Sequence, residues 1–402
     1  KKSTSTQPDV PLILPPTLPK AERAPWINIV TDTYADDFKQ FINNKNFHDV
    51  VFHVDGQNLV AHKVILCSAS SLFRRIFQIT DLNDKTQGPI SHSVINNGGV
   101  AGFSGIRLEH NGERDITVID ISEGITCELF RRVIEFLYTG MASIKDKNDS
   151  LSETISVAEL YECNELVTIC QNIQNNDTDL NPSIGTWLND LCGAKAKQLF
   201  FNRPLFSDVS FKVEGKVVPA HKAIIACRCP VISAMLTGKF VESTNAVIDI
   251  PDTSAEVFLP FLEYLYTSHS PIEESDAVGI MVLANRFAIP RLVSLCELYI
   301  SKAVESATAD SVEKADIDVV GLLLASQTHN APQLEKFCLH FVSVNYGPMK
   351  KRTEFSLLDG ENIKYVEEHQ WPPLSYLKEL EEYEKAMGKR GISEKDAKCI
   401  VM

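Results

Sequence analysis

The chain lacks the features of a membrane-spanning or secreted protein. No apolar run approaches the roughly 20 residues that a transmembrane helix needs, and the short apolar stretch at residues 10–14 is interrupted by Pro11, which argues against a signal-peptide core. Its ten cysteines are irregularly spaced over 402 residues, a usage typical of small buried hydrophobes and not of a disulfide framework. We therefore expect an intracellular protein without disulfides.

Basic residues and catalytic motifs are also scarce. Lys and Arg total 39 against 53 Asp and Glu, a net charge of −14, which argues against nucleic acid as a partner because phosphate binding needs clustered basic residues. The motifs G-x-x-x-x-G-K-[ST], G-x-S-x-G and H-E-x-x-H do not occur, and the pair Cys227 and Cys229 has no second Cys/His pair that would complete a zinc site. We expect no catalytic, nucleotide-binding or metal site.

Two windows of the chain, residues 47–77 and 206–236, repeat one another. At an offset of 159 they share ten identities in 31 positions. The identical pairs are Phe47/Phe206, Asp49/Asp208, Val50/Val209, Phe52/Phe211, Val54/Val213, Gly56/Gly215, Ala61/Ala220, His62/His221, Lys63/Lys222 and Ile65/Ile224. A second pair of windows, 128–140 and 256–268, follows the sequence VIDI in both copies. The chain therefore contains one domain twice.

The first copy carries an insertion. His62 and Tyr138 are 76 residues apart, whereas His221 and Tyr266 are 45 apart, a difference of 31. The additional residues fall at about 80–115 and are rich in Asn, Gly and Ser, which predicts a long polar loop.

Within each copy the apolar pattern predicts a hairpin followed by helices. Residues 50–54 and 209–213 alternate between apolar and polar, with the period of a half-buried strand, and Asp55-Gly56 and Glu214-Gly215 then have the chemistry of a tight turn. Helical spacing follows at 64–76, 130–137, 224–236 and 258–265, and a further helix precedes each copy.

These strings, D-V-x-F-x-V-x-G, A-H-K and F-x-x-x-[IL]-E-[FY]-L-Y-T, resemble the BTB (POZ) domain. The resemblance implies an α+β fold in which each copy, at 31–172 and 184–304, forms a three-stranded sheet surrounded by helices, and it implies dimerisation and partner recruitment instead of catalysis. The recurring signature residues are expected to be structural, with the Asp capping backbone amides and the His near a helix start; they are Asp49, His62, Lys63, Asp208, His221 and Lys222.

Tandem BTB domains preceded by a proline-rich segment resemble the RhoBTB family of atypical Rho-related proteins, whose GTPase-like domain has no counterpart in this chain. We expect residues 1–30 to be an extended linker, in which the P-x-x-P of Pro16 and Pro19 lacks the basic anchor that SH3 ligands usually carry. Residues 305–388 show helical periodicity and are similar to the BACK-like extension of ubiquitin-ligase adaptors, although a plain helical subdomain explains the same pattern.

The sequence ends in Cys399-Ile400-Val401-Met402, a C-a-a-X signal in which Met favours farnesyl transfer to the Cys399 thiol. We expect a flexible tail over 389–402, no cofactor other than this prenyl group, and peripheral binding to the cytosolic face of internal membranes such as Golgi or endosomes. One prenyl chain binds a membrane only reversibly, so partner binding or dimerisation has to contribute.

Phe240 and Glu242 form a hydrophobic-x-Glu segment of the kind that cullin-binding BTB domains carry, with a loop packed on its own domain as the alternative. The family resemblance instead implies cullin binding mainly through the first copy, so the docking copy stays open. The leading hypothesis is a prenylated adaptor that recruits a cullin-3-type ubiquitin ligase. The alternatives are a BTB oligomerisation scaffold in trafficking and the regulatory part of a Rho-like nucleotide hydrolase. Partner candidates are a cullin, itself or other BTB proteins, a ubiquitination substrate, SH3 proteins and small GTPases.

Overall fold

The computed structural model describes residues 14–42, 44–79, 88–110, 112, 115–144, 150–238 and 245–389. The chain divides into two compact units, one of residues 29–296 and one of residues 1–28 with 297–402. Both copies of the repeat have their sheets in the unit of residues 29–296.

The first copy is built on a four-stranded sheet. Its strands are β1 (Val50–Val54), β2 (Gln57–Ala61), β3 (Phe103–His110) and β4 (Asp115–Ile121), in the spatial order β2-β1-β4-β3. β1 is antiparallel to β2 and parallel to β4, and β3 is antiparallel to β4. Val50, Phe52 and Val54 are fully buried while the residues between them are partly exposed, as the alternating pattern predicted.

The second copy repeats this arrangement with three strands. They are β5 (Val209–Val213), β6 (Lys216–Ala220) and β7 (Val247–Asp249), in the order β6-β5-β7 with β5 parallel to β7. Both predicted hairpins form through two-residue loops in which each central residue has a positive φ, at Asp55 and Gly56 (49° and 69°) and at Glu214 and Gly215 (49° and 79°). Positive φ at both positions defines the type I′ turn that matches strand twist.

The insertion of the first copy is more ordered than a polar loop. Its described residues contain the helix α4, and β3 begins in it and adds a strand that the three-stranded prediction did not include. Ile95, Phe103 and Ile106 are buried, and the Tyr161 hydroxyl donates to the Gly102 carbonyl at 2.9 Å. The prediction of a loop failed because a few apolar residues, spaced to cover the sheet edge, outweigh an Asn- and Gly-rich composition.

Helices cover the sheets. In and after the first copy they are α1 (Tyr34–Phe41), α2 (Lys63–Ala69), α3 (Ser71–Ile76), α4 (His92–Asn96), α5 (Cys127–Thr139), α6 (Leu151–Leu160) and α7 (Asn164–Asn175). In the second copy they are α8 (Ile184–Thr186), α9 (Cys192–Leu199), α10 (Lys222–Arg228), α11 (Pro230–Thr237), α12 (Ala255–Thr267), α13 (Ala277–Arg286) and α14 (Pro290–Thr308). One π-helical turn, Trp187–Leu191, joins α8 to α9.

The unit of residues 1–28 and 297–402 is helical in its described part. After α14 it contains α15 (Val319–Thr328), α16 (Pro332–Val344), α17 (Tyr346–Met349), α18 (Gly360–Glu368) and α19 (Leu374–Lys389). The described part of the proline-rich segment that belongs to this unit, residues 14–28, is hydrogen-bonded to the rest of the unit and is not a free linker. Asn28 exchanges two hydrogen bonds with the Gln333 side chain (2.7 and 3.1 Å), and the Trp371 indole donates to the Pro19 carbonyl at 3.1 Å.

Two further observations concern membrane-spanning helices and the state of the cysteines. Among the described residues, no helix combines the length and apolarity that crossing a bilayer requires. None of the nine cysteines in the described ranges is in a disulfide, and eight of them are buried.

Candidate protein-interaction surfaces

The signature histidines connect the hairpin of each copy to its last core helix. In the first copy, Tyr138 Oη on α5 lies 2.9 Å from His62 Nδ1 and accepts a hydrogen bond from the His62 backbone N–H at 3.0 Å. His62 Nε2 lies 3.0 Å from the Asn46 carbonyl, which only accepts. Nε2 therefore carries the proton, and Nδ1 accepts from the Tyr138 hydroxyl.

His221 repeats this geometry in the second copy. Its Nδ1 lies 2.7 Å from Tyr266 Oη and its Nε2 lies 2.8 Å from the Leu205 carbonyl. Burial lowers the pKa of His221 to about 4, because a charged imidazole would lose its hydration. Since both rings are buried with both nitrogens bonded, they link elements of the fold and do not form a catalytic pair.

The signature aspartates accept from the first backbone amide of the helix that follows the hairpin. Asp49 Oδ1 accepts from Lys63 N at 2.8 Å, and Asp208 Oδ1 accepts from Lys222 N at 2.7 Å. Each carboxylate thus satisfies an N–H that has no partner inside its helix. Burial is the main cause that raises the pKa of Asp49 to about 6; the charge of Asp208 adds to the rise, and Lys63 opposes it.

These residues meet where the two copies pair within the chain. Lys63 Nζ lies 5.8 Å from the ring centre of Phe206 in the second copy, and Lys222 Nζ lies 5.8 Å from the ring of Phe47 in the first. Phe47 and Phe206 have left-handed backbones with nearly equal φ, 62° and 60°. The two reciprocal contacts show that the copies are related by an approximate twofold axis.

Helix contacts follow the same symmetry. α1 of the first copy packs on α10 of the second, and α9 of the second copy packs on α2 of the first. Phe41 and Phe200, which are equivalent by sequence, contact His62 and His221 in their own copies, with ring centres 4.9 and 5.5 Å apart. Each copy contributes one pairing face to this contact. The pairing face of the first copy consists of α1, α2 and α5, and that of the second copy consists of the helical segment 187–199, α10 and α12.

One side of the pairing face is charged. Arg228 NH1 lies 2.5 Å from Asp37 Oδ2, and Arg228 NH2 donates to Ser268 Oγ at 2.7 Å. Asp32 lies 3.7 Å from the same guanidinium and 3.2 Å from Arg291 Nε. Only 3% of the Arg228 side chain is exposed, against 27% of the Asp37 side chain, so the guanidinium is desolvated and the carboxylate is partly buried. Sequence analysis missed this pair, because neither residue recurs in the other copy.

The opposite side of the pairing face is aromatic. Trp187 lies 5.0 Å from the ring of Phe136 on α5, and a Cβ added to Gly140 would meet the Trp187 ring at 2.4 Å. Gly140 has a φ of 67° and ends α5, so it combines a left-handed helix end with a close approach.

Three predicted functional residues lie outside the described residues. They are the cullin-docking candidates Phe240 and Glu242, between α11 and β7, and the prenylation candidate Cys399.

The described part of the helical unit contains a cleft with a volume of about 240 Å³. His340, Tyr365, His369 and Trp371 line it together with Lys20, and the Tyr365 and His369 rings stack 4.1 Å apart. In the described ranges no group of three or more His, Cys, Asp or Glu side chains is placed to bind a metal ion.

Comparison with known proteins agrees with the repeat. The BTB/POZ domain family model matches residues 38–97, 106–178 and 197–303, which include both copies and most of the insertion. Human Rho-related BTB domain-containing protein 3 is 29% identical over 403 residues, covering 97% of this chain. Human Rho-related BTB domain-containing proteins 1 and 2 are each 33% identical and cover 68% and 69% of it. The chain spans 64% of the length of the first of these relatives and 39% and 38% of the other two. The prediction of tandem BTB domains is confirmed.

Proposed function

We propose, because the chain belongs to the family of Rho-related BTB domain-containing proteins, that it is an adaptor which recruits a cullin-3-type ubiquitin ligase and presents other proteins to it. At the coarser level, its two BTB domains make it a protein-interaction module and not an enzyme. Recruitment of the ligase and attachment to a membrane are the elements of this function that we propose.

The observation that carries the proposal is the pairing of two different BTB copies inside one chain. Each copy uses its pairing face against the other, so one chain provides a paired BTB unit without a second molecule. The two outer surfaces of that unit differ in sequence, since only the first copy has the insertion with α4 and β3. A unit with two unlike surfaces suits an adaptor that has to bind a ligase and a substrate together.

For the cullin we favour the second copy. It carries Phe240 and Glu242 between α11 and β7, the position at which cullin-binding BTB domains have a hydrophobic-x-Glu segment. In the first copy the insertion occupies the corresponding position. A helical region also follows the second copy, as it does in ubiquitin-ligase adaptors.

The test is a pull-down of purified cullin-3 by the full chain. We expect the double variant Phe240→Ala/Glu242→Ala to lose at least tenfold in affinity, since anchors of this kind dominate interface energies. Val217→Ala removes an exposed apolar side chain on β6 of the same copy and is the matched control. Val94→Ala/Leu108→Ala changes exposed residues of the insertion, and a loss there alone would assign docking to the first copy. If the wild-type chain does not bind cullin-3, the proposal is wrong.

Point variants are preferable to deletions. Removing one copy would expose the pairing face of the other, including the buried Arg228 or the Trp187 contact surface. A deleted chain could then lose cullin binding because it misfolds or aggregates.

We further propose that Cys399 is prenylated and that the lipid holds the adaptor at the cytosolic face of an internal membrane, such as Golgi or endosomes. In eukaryotic cells we expect mass spectrometry to find a farnesyl thioether on Cys399, with or without removal of residues 400–402, and we expect recovery in the membrane fraction. Cys399→Ser should lose both, and Met402→Leu should exchange the farnesyl for a geranylgeranyl group while membrane binding is retained. An unmodified wild-type chain would contradict this.

The other candidate functions are less favoured. A scaffold that oligomerises through BTB pairing needs free pairing faces, and here the two faces cover each other. A regulatory role for a Rho-like nucleotide hydrolase depends on whether the parent protein has an upstream P-loop. SH3 proteins and small GTPases remain partner candidates, although Pro19 of the P-x-x-P is hydrogen-bonded to Trp371.

A further inference from the structure

The pairing face is nearly symmetric in its backbone but not in its chemistry. The repeat offset of 159 makes Ala69 the equivalent of Arg228 and Ala196 the equivalent of Asp37. Alignment of α5 with α12, at an offset of 128, makes Gly140 the equivalent of Ser268. Arg228, Asp37 and Ser268 therefore each have an alanine or a glycine at the equivalent position on the other side.

The charged side holds its members with several contacts at once. Besides the ion pair with Asp37, the Arg228 guanidinium lies 5.2 Å from the ring centre of Tyr34. Ser268 connects the guanidinium to Asp32, donating to the carboxylate at 3.3 Å. Tyr34, Asp32 and Asp37 come from the first copy, whereas Arg228 and Ser268 come from the second.

Two second copies would not pair well through this face. Arg228 would lie opposite Ala196 instead of Asp37 and would be buried without a carboxylate, a state that is strongly disfavoured. Ser268 would take the place of Gly140 against Trp187, where even a Cβ comes within 2.4 Å of the ring. The clash and the unpaired charge would occur twice, because a pair of like copies is symmetric.

Two first copies would also be mismatched. Asp37 of each would lie opposite Ala69, so two partly buried carboxylates would lose their cation. Gly140 of each would lack the Trp187 ring that fills the space beside it. Both kinds of like pairing thus lose these contacts, and only the unlike pair gives Arg228 a carboxylate and places the Trp187 ring beside a glycine.

We propose that the ion pair of Arg228 with Asp37 and the contact of Trp187 with Gly140 form a pairing code that makes a first-copy face accept only a second-copy face. The code directs the two copies of one chain to each other. When two chains associate through these faces, they exchange copies, first with second, and do not join like with like. A foreign BTB domain can compete only if it carries a carboxylate at the Asp37 position or a cation at the Arg228 position.

The role fits the energetics of buried ion pairs. Such pairs contribute little net stability, because desolvation offsets their attraction, but removing one member is strongly destabilising. Burial raises the pKa of Asp37, and the Arg228 charge opposes the rise. Because the intact pair contributes little stability and an incomplete pair is costly, Arg228 and Asp37 act mainly against wrong partners and less in favour of the correct one.

The experiment uses charge reversal in the full chain. Asp37→Arg and Arg228→Asp are made singly, together in one chain, and in two differently tagged chains that are co-expressed. We expect each single variant to lose the wild-type elution volume and thermal transition, and the double variant to recover both. When the two single variants are co-expressed, the first copy of each chain can pair with the second copy of the other chain, and both pairs then contain one cation and one carboxylate. We therefore expect a 1:1 complex of twice the chain mass, at least tenfold more abundant than either homomer.

A variant on the aromatic side provides an independent arm. Gly140→Ser should disturb pairing like a charge reversal, and Gly56→Ser, at a similar φ in open space, is its matched control. The proposal is overturned if Arg228→Asp keeps the wild-type mass and stability, if the double variant is no better than the singles, or if the co-expressed singles do not associate. Failure of the single variants to fold leaves the double variant as the deciding measurement.

Discussion

At the scale of single residues, the shifted pKa values of His221 and Asp49 have opposite effects on how stability changes with pH. His221 has a folded-state pKa of about 4, below its ordinary value of 6.5, so the stability it contributes is present above pH 6.5 and is lost as the pH falls toward 4. Asp49 has a folded-state pKa of about 6, above 3.8, so its ionised form costs stability above pH 6 and this cost disappears as the pH falls. The two effects therefore act in opposite directions between about pH 6 and pH 4, where they offset one another.

Asp49→Asn should remove this cancellation. The Asn side-chain oxygen still accepts from Lys63 N, so we expect the variant to be at least as stable as wild type at pH 7. Below pH 6 its free energy of unfolding should fall relative to wild type, by at most about 1.4 kcal/mol per pH unit. Urea unfolding at intervals from pH 7 to pH 4 measures the difference, with Val217→Ala as a variant that changes no ionisable group. A pH-independent difference would show that Asp49 has no raised pKa.

At the scale of elements, helix ends and turns carry much of the specificity of the fold. α5 begins at the capping residue Thr126, whose hydroxyl accepts from Leu129 N, and ends at Gly140 in the left-handed region. α12 has the same length and the same kind of ends, Ser254 and Ser268. The two C-terminal ends differ in their contacts, because Gly140 lies against the Trp187 ring whereas the Ser268 hydroxyl bonds Arg228 and Asp32.

Gly140→Ala should therefore cost more than a left-handed backbone alone explains. Gly56 has nearly the same φ, 69° against 67°, and no heavy atom within 4 Å of an added Cβ. We expect Gly56→Ala to lower the free energy of unfolding by about 1–2 kcal/mol, the cost of a left-handed L-residue. Gly140→Ala should lower it by about 1–3 kcal/mol more, because Trp187 must move. Equal losses in urea unfolding would mean that the Trp187 contact adjusts freely.

At the scale of the whole molecule, hydrogen bonds connect segments that are far apart in sequence within one unit. Asn28 and Gln333 are 305 residues apart, and Gln333 bonds both backbone groups of Asn28 as well as the buried Glu297 carboxylate. The described residues 14–28 of the proline-rich segment are thereby attached at Asn28 to the start of α16.

Gln333→Ala should release this segment and leave the BTB domains intact. Because the variant loses both hydrogen bonds to Asn28, at about 1 kcal/mol each, we expect backbone amides near Asn28 to exchange roughly thirtyfold faster and proteolysis within residues 14–28 to accelerate. Gln327→Ala is the matched control, since Gln327 bonds Asn362 in the same unit without contacting the segment. The attachment is refuted if the two variants are cleaved alike.

Local signals in the chain were sufficient for the repeat, the two hairpins, the helices around them and the BTB family, because strand period, turn chemistry and helix spacing are properties of neighbouring residues. Pairing of the copies through Arg228 and Asp37, the added strand β3, and attachment of the proline-rich segment by Gln333 depend on contacts between residues up to 305 positions apart. Such contacts arise only when folded elements meet, since charge, shape and burial then select one partner among many chemically similar residues.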